Sequence, residues 1–408
     1  MSDLPETPSS IQTSLLSKIN EWQALRAIQR QGPMSRAEVA RYAHITAPTA
    51  SKTVESLLKA GLLEEEESGE VLRGRPARKL RLTNKNAQVL GLALDADKCR
   101  VVSAGLDGVL HDEIYEFRTP GTYPILLDTA GAYLDGVLKR GKVTTLGLGI
   151  SIPGLVDYTS QRSILSPNLP ITNSHSPVQY FAKRLGIECV QLQESHALCL
   201  AERHYGNAIG MDDFAMLDVN IGVGLGVMSG GRLLKGNRGL AGEIGHITVC
   251  PEGRRCGCGN TGCLETEASD SALVYAISQR LGRAVDIDEV VQLIQSGTLD
   301  PRSELERVCR YLAIGVASVI NLFNPSTLFI HGRMFAADPE LFSHLLIEIK
   351  KRALAPSFAD CTVVLARGSK RQGAIAGIVE HLFNSLLPPS MQASTSWAFP
   401  MPAATTKR

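Results

Sequence analysis

Between Gly242 and Glu265 the chain reads Gly-Glu-Ile-Gly-His-Ile-Thr-Val-Cys-Pro-Glu-Gly-Arg-Arg-Cys-Gly-Cys-Gly-Asn-Thr-Gly-Cys-Leu-Glu, and no other stretch restricts the fold as much. It sets one imidazole, His246, and three thiols, Cys256, Cys258 and Cys263, in a His-x9-Cys-x-Cys-x4-Cys pattern. Three sulfurs and one nitrogen make a closed tetrahedral shell for Zn²⁺. Six glycines in the same span let the backbone turn tightly enough to bring the four ligands together. The spacing is not that of a zinc finger. Glu243 and Glu265 bracket the ligands, and neither is needed to fill the shell. They read as hydrogen-bond acceptors for a polyhydroxylated ligand beside the metal; the alternative is a structural knuckle with both acids in solvent.

The chain has 408 residues, enough for two or three domains that each bury a core. A net charge of +1 gives no global attraction to nucleic acid or to a membrane, so any such surface must be local. Of nine cysteines, the six outside the cluster are scattered through apolar stretches. That suits reduced thiols in a cytoplasmic protein better than a disulfide framework. The polar first ten residues do not resemble a secretory leader. The apolar run from Leu312 to Phe323 is too short to span a bilayer, so no membrane partner is expected.

The first part of the chain reads as a DNA-binding head. Residues 1–13, rich in Ser, Thr and Pro, are expected to be disordered. From Leu15, apolar residues recur at helical intervals through Leu16, Ile19, Trp22, Leu25 and Ile28. Gly32-Pro33 stops that helix, and Ser35 with Glu38 forms a capping box for a short one over Arg36–Ala43. Thr46 caps a third helix over Ala47–Ala60, with Pro48 in its first turn. Two capped helices about a tight turn make a helix-turn-helix, and Gly61-Leu62-Leu63 leads into a wing. The acidic run from Glu64 to Glu67 is expected on the far side of that wing. Ser35, Arg36, Thr49, Ser51, Lys52 and Thr53 are the candidate contacts to bases and phosphates of double-stranded operator DNA. Arg73-Gly74-Arg75-Pro76, followed by Arg78, suits an extended arm in a narrow minor groove, with Arg73, Arg75 and Arg78 as its contacts.

From Val89 the pattern changes to strands: Val89–Leu94, Val101–Leu106 and Val109–Phe117 read as a meander. A helix over Ile125–Lys139 and a buried strand over Leu146–Ile152 follow. Further strands are expected at Ala215–Val219, Gly224–Met228 and Thr327–His331, with a long helix over Glu304–Phe323. Strands alternating with helices predict an α/β fold of two lobes about a cleft. The expected domains are a winged helix-turn-helix over 14–84, an α/β domain over 85–387 and a disordered tail over 388–408.

Several motifs together resemble the ROK family of repressors, open reading frames and sugar kinases. They are the head, the Arg-Gly-Arg-Pro arm and Gly-Leu-Gly-Ile-Ser-Ile-Pro-Gly-Leu-Val-Asp at 147–157. To these add Glu-Ile-Gly-His at 243–246, the Cys-Gly-Cys run and Asn-Leu-Phe-Asn-Pro at 321–325. The head marks the branch that holds the xylose and N-acetylglucosamine repressors. The resemblance implies two actin-like, hexokinase-type lobes with sugar in the cleft. It carries sugar-binding positions onto Asn168, Glu243, His246 and Glu265. The catalytic Asn-Asp pair of the kinases falls on Gln193-Glu194, also candidate sugar contacts. Three departures argue against phosphoryl transfer. Leu94-Asp95-Ala96-Asp97-Lys98 lacks the glycines of the first phosphate loop, and Asn220-Ile221-Gly222 lacks the hydroxyl of the second. Glu194 carries its carboxylate about one methylene beyond the position of the family's base.

The expectation is a regulator, a repressor by resemblance, that senses a sugar or sugar phosphate and acts on DNA as a homodimer or homotetramer. The alternatives are an ATP-dependent sugar kinase that kept a DNA-binding head, and a regulator controlled by a protein partner.

Overall fold

The capping chemistry of the head sets where its helices start. In a computed structural model, which describes residues 8–66, 78–140, 143–338 and 340–387, helix α1 spans Pro8–Gln31, α2 Arg36–Tyr42 and α3 Ala47–Lys59. The Ser35 N–H donates to Glu38 Oε2 at 2.8 Å and the Glu38 N–H to Ser35 Oγ at 3.3 Å, completing the capping box. Thr46 accepts from the Thr49 N–H at 3.4 Å, and Pro48 sits in the first turn of α3. Helix α1 starts at Pro8 rather than Leu15, so residues 8–13, expected to be disordered, are helical. A proline fits a first helical turn, where its missing N–H has no intrahelical partner to lose. Ala24, Leu25, Ala27 and Ile28 are the buried part of α1; Leu16, expected on the same stripe, is exposed.

The wing pairs β1 (Leu63–Glu66) with β2 (Lys79–Leu82) antiparallel, Glu64 opposite Arg81. Glu64 is buried, not on the far side of the wing. It accepts from Arg81 Nε at 2.8 Å and from the backbone N–H groups of Asn84 and Lys85 at 3.2 and 3.1 Å. These donors outweigh burial and hold its carboxyl below the ordinary range.

The first lobe is built on β3 (Ala87–Ala93), β4 (Lys98–Ala104), β5 (Tyr115–Arg118), helix α4 (Tyr123–Arg140) and β6 (Thr144–Ile152). A small hairpin, β7 (Leu155–Asp157) and β8 (Arg162–Leu165), then α5 (Pro177–Leu185), β9 (Glu188–Gln193) and α6 (Glu194–Tyr205) complete it. The second lobe carries β10 (Phe214–Asp218), β11 (Gly224–Ser229) and β12 (Arg232–Leu233), then α7 (Leu264–Ala268), α8 (Asp270–Leu281), α9 (Ile287–Gln295) and α10 (Arg302–Phe323). Strand β13 (Thr327–His331), α11 (Leu341–Lys350), α12 (Ala355–Asp360) and β14 (Thr362–Leu365) follow, and α13 (Lys370–Ser385) returns to the first lobe.

The two five-stranded sheets share one plan. In order they run β5-β4-β3-β6-β9 and β12-β11-β10-β13-β14: an antiparallel meander, then two strands parallel to its first. The first two strands of the expected meander lie within three residues of their expected ends. The third begins only at Tyr115, because the chain from Leu106 to Ile114 forms a turn and a single bridge, Ala104 to Leu110. In both sheets the parallel strands end on one side, and there the cleft opens. Among the described residues no helix is long and apolar enough to cross a membrane.

Candidate effector cleft and metal centre

The glycine-rich loop folds on itself. The Cys256 N–H donates to Asn260 O at 2.8 Å and the Gly259 N–H to Cys256 O at 3.0 Å. Gly262 holds φ at +70°, and a Cβ there would fall 1.5 Å from Cys250 O, so no other residue fits the crossing. The fold brings the ligand atoms of His246, Cys256, Cys258 and Cys263 within 4.8 Å of one another. Cys258 Sγ lies 3.7 Å from Cys263 Sγ, and Cys256 Sγ 3.6 Å from His246 Nδ1. Zn–S bonds of about 2.3 Å and Zn–N bonds of about 2.0 Å at tetrahedral angles give S···S edges of roughly 3.8 Å and S···N edges of roughly 3.5 Å. The two measured edges match that tetrahedron, and the four donors are close enough together to close on one ion. Asn260 Nδ2, 3.6 Å from Cys263 Sγ, is an outer donor to that thiolate.

Nδ1 of His246 faces the thiols, so its Nε2 turns to the cleft, 3.6 Å from Glu243 Oε2. All six candidate sugar contacts, Asn168, Gln193, Glu194, Glu243, His246 and Glu265, line this one cleft. Gln193 Nε2 donates to Glu243 Oε1 at 2.7 Å, fixing one carboxylate oxygen and leaving the other toward the space. At the far wall a Cβ on Gly222 would meet Glu265 Oε2 at 2.8 Å and Asn168 Nδ2 at 3.3 Å, so these two groups share one corner. Glu265 Oε1 accepts from the Cys256 thiol at 2.9 Å. With a metal on its sulfur, Cys256 would have no proton to give, which would leave that oxygen to a ligand hydroxyl.

One residue that engages the cleft's acidic lining from the adjoining cavity escaped sequence reasoning. Lys370, the first residue of α13, places Nζ 2.7 Å from Glu194 Oε1, 3.7 Å from Asp95 Oδ2 and 3.8 Å from Asp218 Oδ2. Burial works to lower the lysine, but the three carboxylates more than reverse that and keep it protonated. Burial pushes the Glu194 carboxyl up to about 7 against the pull of Lys370. A lysine in the first turn of a helix opposes the helix dipole, and that anomaly was the available signal for a carboxylate partner. Asp218 also meets His331 Nδ1 at 2.9 Å, so His331, which has no partner by sequence spacing, lies behind the cleft and lines the cavity that adjoins it.

Behind the cleft, the His196 ring is buried, with Nδ1 2.7 Å from the Tyr158 hydroxyl. Burial holds its pKa down to about 4. The unfolded chain, with an ordinary histidine near 6.5, takes up the proton first, so His196 costs stability as pH falls from about 6.5 toward 4. The expected loss is about 3 kcal/mol between pH 7 and pH 4. Urea unfolding at the two pH values checks it, with His196→Gln losing correspondingly less.

The comparisons with known proteins bear on the whole chain. The ROK family model matches residues 90–381, more than half of it. The chain belongs to the ROK family. Ahead of that match, a MarR family model covers residues 17–74, from within α1 to beyond β1. Over 388 residues this ROK chain is 28% identical to the N-acetylglucosamine repressor of Shigella flexneri, covering 91% of this chain and 95% of that one. It is 24% identical to the xylose repressor of Bacillus subtilis over 383 residues, 91% and 98% of the two chains. Among solved structures, a ROK family transcriptional regulator homologous to the Escherichia coli MLC protein superposes with a TM-score of 0.76 at 26% identity, covering 92% of this chain and 98% of that one. A ROK glucokinase from Streptomyces griseus, at 22% identity and a TM-score of 0.64, covers 71% of this chain and 97% of its own and shares the fold of the two lobes.

In the head of this ROK protein, Ser51 and Lys52 are exposed in the first half of α3 and Thr49 is half-buried. Thr53 is corrected: it is buried, because residues 50, 53, 54 and 57 form the i, i+3, i+4, i+7 stripe that packs against α1 and α2. Ser35 is occupied as a cap. Arg36 and Arg78 both pair with Glu65, at 3.1 and 2.6 Å. Arg73 and Arg75 lie outside the described residues. Lys52→Ala is expected to shift operator preference without changing the fold, while Thr53→Val leaves preference unchanged; binding-site selection from random duplexes distinguishes the two.

Proposed function

We propose that this ROK protein is a sugar-responsive transcriptional repressor that holds double-stranded operator DNA until a sugar or sugar phosphate enters the cleft. Zn²⁺ on His246, Cys256, Cys258 and Cys263 would brace the cleft wall, and Asn168, Gln193, Glu194, Glu243, His246 and Glu265 would meet the ligand's hydroxyls. Thr49, Ser51 and Lys52 would read the major groove, with Arg73, Arg75, Arg78 and Arg36 at phosphates and in the minor groove. Arg36 and Arg78 must exchange Glu65 for phosphate to do so. Two heads on a two-fold operator require at least a dimer, and a cytoplasmic location follows from a DNA partner.

One observation carries the reading: α6 and α13 run side by side from the cleft to the head. At the cleft end Glu194 of α6 meets Lys370 of α13 at 2.7 Å. Ten residues on, at the far end of α6 and about three turns along α13, His204 Nε2 lies 2.8 Å from Glu380 Oε2. There Arg26 of α1 clamps Glu380 with two bonds of 2.7 and 2.8 Å and reaches Asn384 at 3.1 Å. At 1.5 Å per residue the two pairs are separated by about 15 Å of helix. The helices touch closely; a Cβ on Gly373 would sit 3.2 Å from that of Ala197. A ligand that takes Glu194 from Lys370 therefore acts on two packed rods whose far ends hold the head.

The same geometry argues against kinase chemistry. The kinase base must be free to take a proton from the sugar. Here its counterpart, Glu194, is engaged by an ammonium that also sits among Asp95 and Asp218, where added phosphate and metal charge would have to compete. The expected result is no ATP-dependent phosphorylation of hexoses or amino sugars. Calorimetry with a panel of sugars and sugar phosphates tests the sensor: one of them binds, and Asn168→Ala weakens it by about tenfold or more. Binding by none, in protein that carries its metal, would overturn the sensor reading.

A further inference from the structure

A second, larger cavity lies at the junction of the head and the α/β body, bounded by α1, the turn between α2 and α3, α6, the β11–β12 turn and α13. Its charged lining is unbalanced: the guanidiniums of Arg26, Arg30, Arg203 and Arg232 face only two carboxylates, Asp212 and Glu380. Arg26 is fully committed to Glu380, and Arg30 reaches Asp212 through one exposed contact of 3.3 Å. Arg203, on α6 between these pairs, makes no hydrogen bond or ion pair among the described residues. It is only partly accessible, and burial disfavours its charge. A half-desolvated guanidinium with five donors and no acceptor is costly to maintain unless something occupies it.

We infer that this junction cavity is a phosphate-binding site, with Arg203 as its anchor and Arg30 and Arg232 as flanking charges. A phosphate group offers the charge the cavity lacks and oxygens at the spacing a planar guanidinium fork accepts. The group can come from a small phosphorylated metabolite or from the DNA backbone; in both cases it bridges head to body and fixes the head's orientation. Nothing here depends on the sugar cleft, so the inference stands or falls separately from the sensor reading.

The test uses the full chain with inorganic phosphate as probe. At constant ionic strength, phosphate is expected to raise the melting temperature in a dose-dependent way, and Arg203→Gln to weaken its apparent affinity by about tenfold or more. Without phosphate, Arg203→Gln should melt no lower than the wild type, since it removes an unpartnered, half-buried charge; Arg232→Ala at the exposed rim gives a milder second variant. If the phosphate comes from DNA, Arg203→Gln also lowers the salt slope of binding to a random-sequence duplex by about one. An unchanged slope with a lost phosphate effect identifies a free phosphate ligand. Phosphate that fails to stabilise the wild type, or stabilises Arg203→Gln equally, together with an unchanged DNA salt slope, overturns the site.

Discussion

Cys263→Ser is expected to strip the protein of zinc and, with it, of its sugar response. Cys263 is wholly buried, its sulfur lies against Cys258 Sγ and the His246 carbonyl, and its backbone bridges to Thr248. Serine offers a harder, protonated oxygen on a shorter bond, and a closed shell that loses one of four donors loses most of its affinity for the ion. The loop that then relaxes carries His246 and leads directly into Glu265. The melting temperature should fall on the order of 10 °C and sugar affinity by about a hundredfold. Elemental analysis beside calorimetry checks both. A variant that retains one equivalent of zinc, or binds sugar normally without it, would remove the metal from the account.

The second large effect is expected toward the opposite end of α6 and α13. Arg26→Ala removes both bonds to Glu380 and leaves that carboxylate to His204 and Asn384 alone. Burial works against ionisation of Glu380, and Arg26 with His204 holds it well below the usual carboxylate range. Losing one partner of such a buried pair costs about 3 kcal/mol or more. The guanidinium also lies 5.5 Å over the rings of both Trp22 and Phe383, so packing between α1 and α13 goes with it. Sugar should still enter the cleft with near-normal affinity, but its effect on DNA affinity should shrink by about tenfold or more. Anisotropy titrations with and without sugar measure this. An undiminished sugar effect would place the coupling elsewhere.

What the sequence made legible follows from how local each signal is. The caps at Ser35 and Thr46, the strands β3, β6, β10, β11 and β13 and the four metal ligands are short-range patterns, and they stand within a few residues of where the residues put them, whereas β9 and β14 carried no such signal. The burial of Thr53 is also a local matter, the helical period of α3, and weighing small polar character above periodicity misplaced it. The ends of α1 and β5 depend on what the rest of the chain packs against them. Long-range pairing was not legible. Lys370 reaches Glu194 across 176 positions and Arg26 reaches Glu380 across 354, and no spacing rule spans such distances. Glu64 illustrates the same limit: its acidic neighbours suggest a solvated run, yet Arg81 and two backbone donors beyond it bury it.

Sugar and DNA, if they act on one pair of packed helices, must oppose each other by the same factor from either side. The most direct measurement is therefore the affinity of the full-length protein for its sugar, by calorimetry, free and saturated with an operator selected from a random pool. The account predicts that bound operator weakens the sugar as many-fold as the sugar weakens the operator, about 5- to 150-fold. Equal sugar affinity in the two states would contradict it.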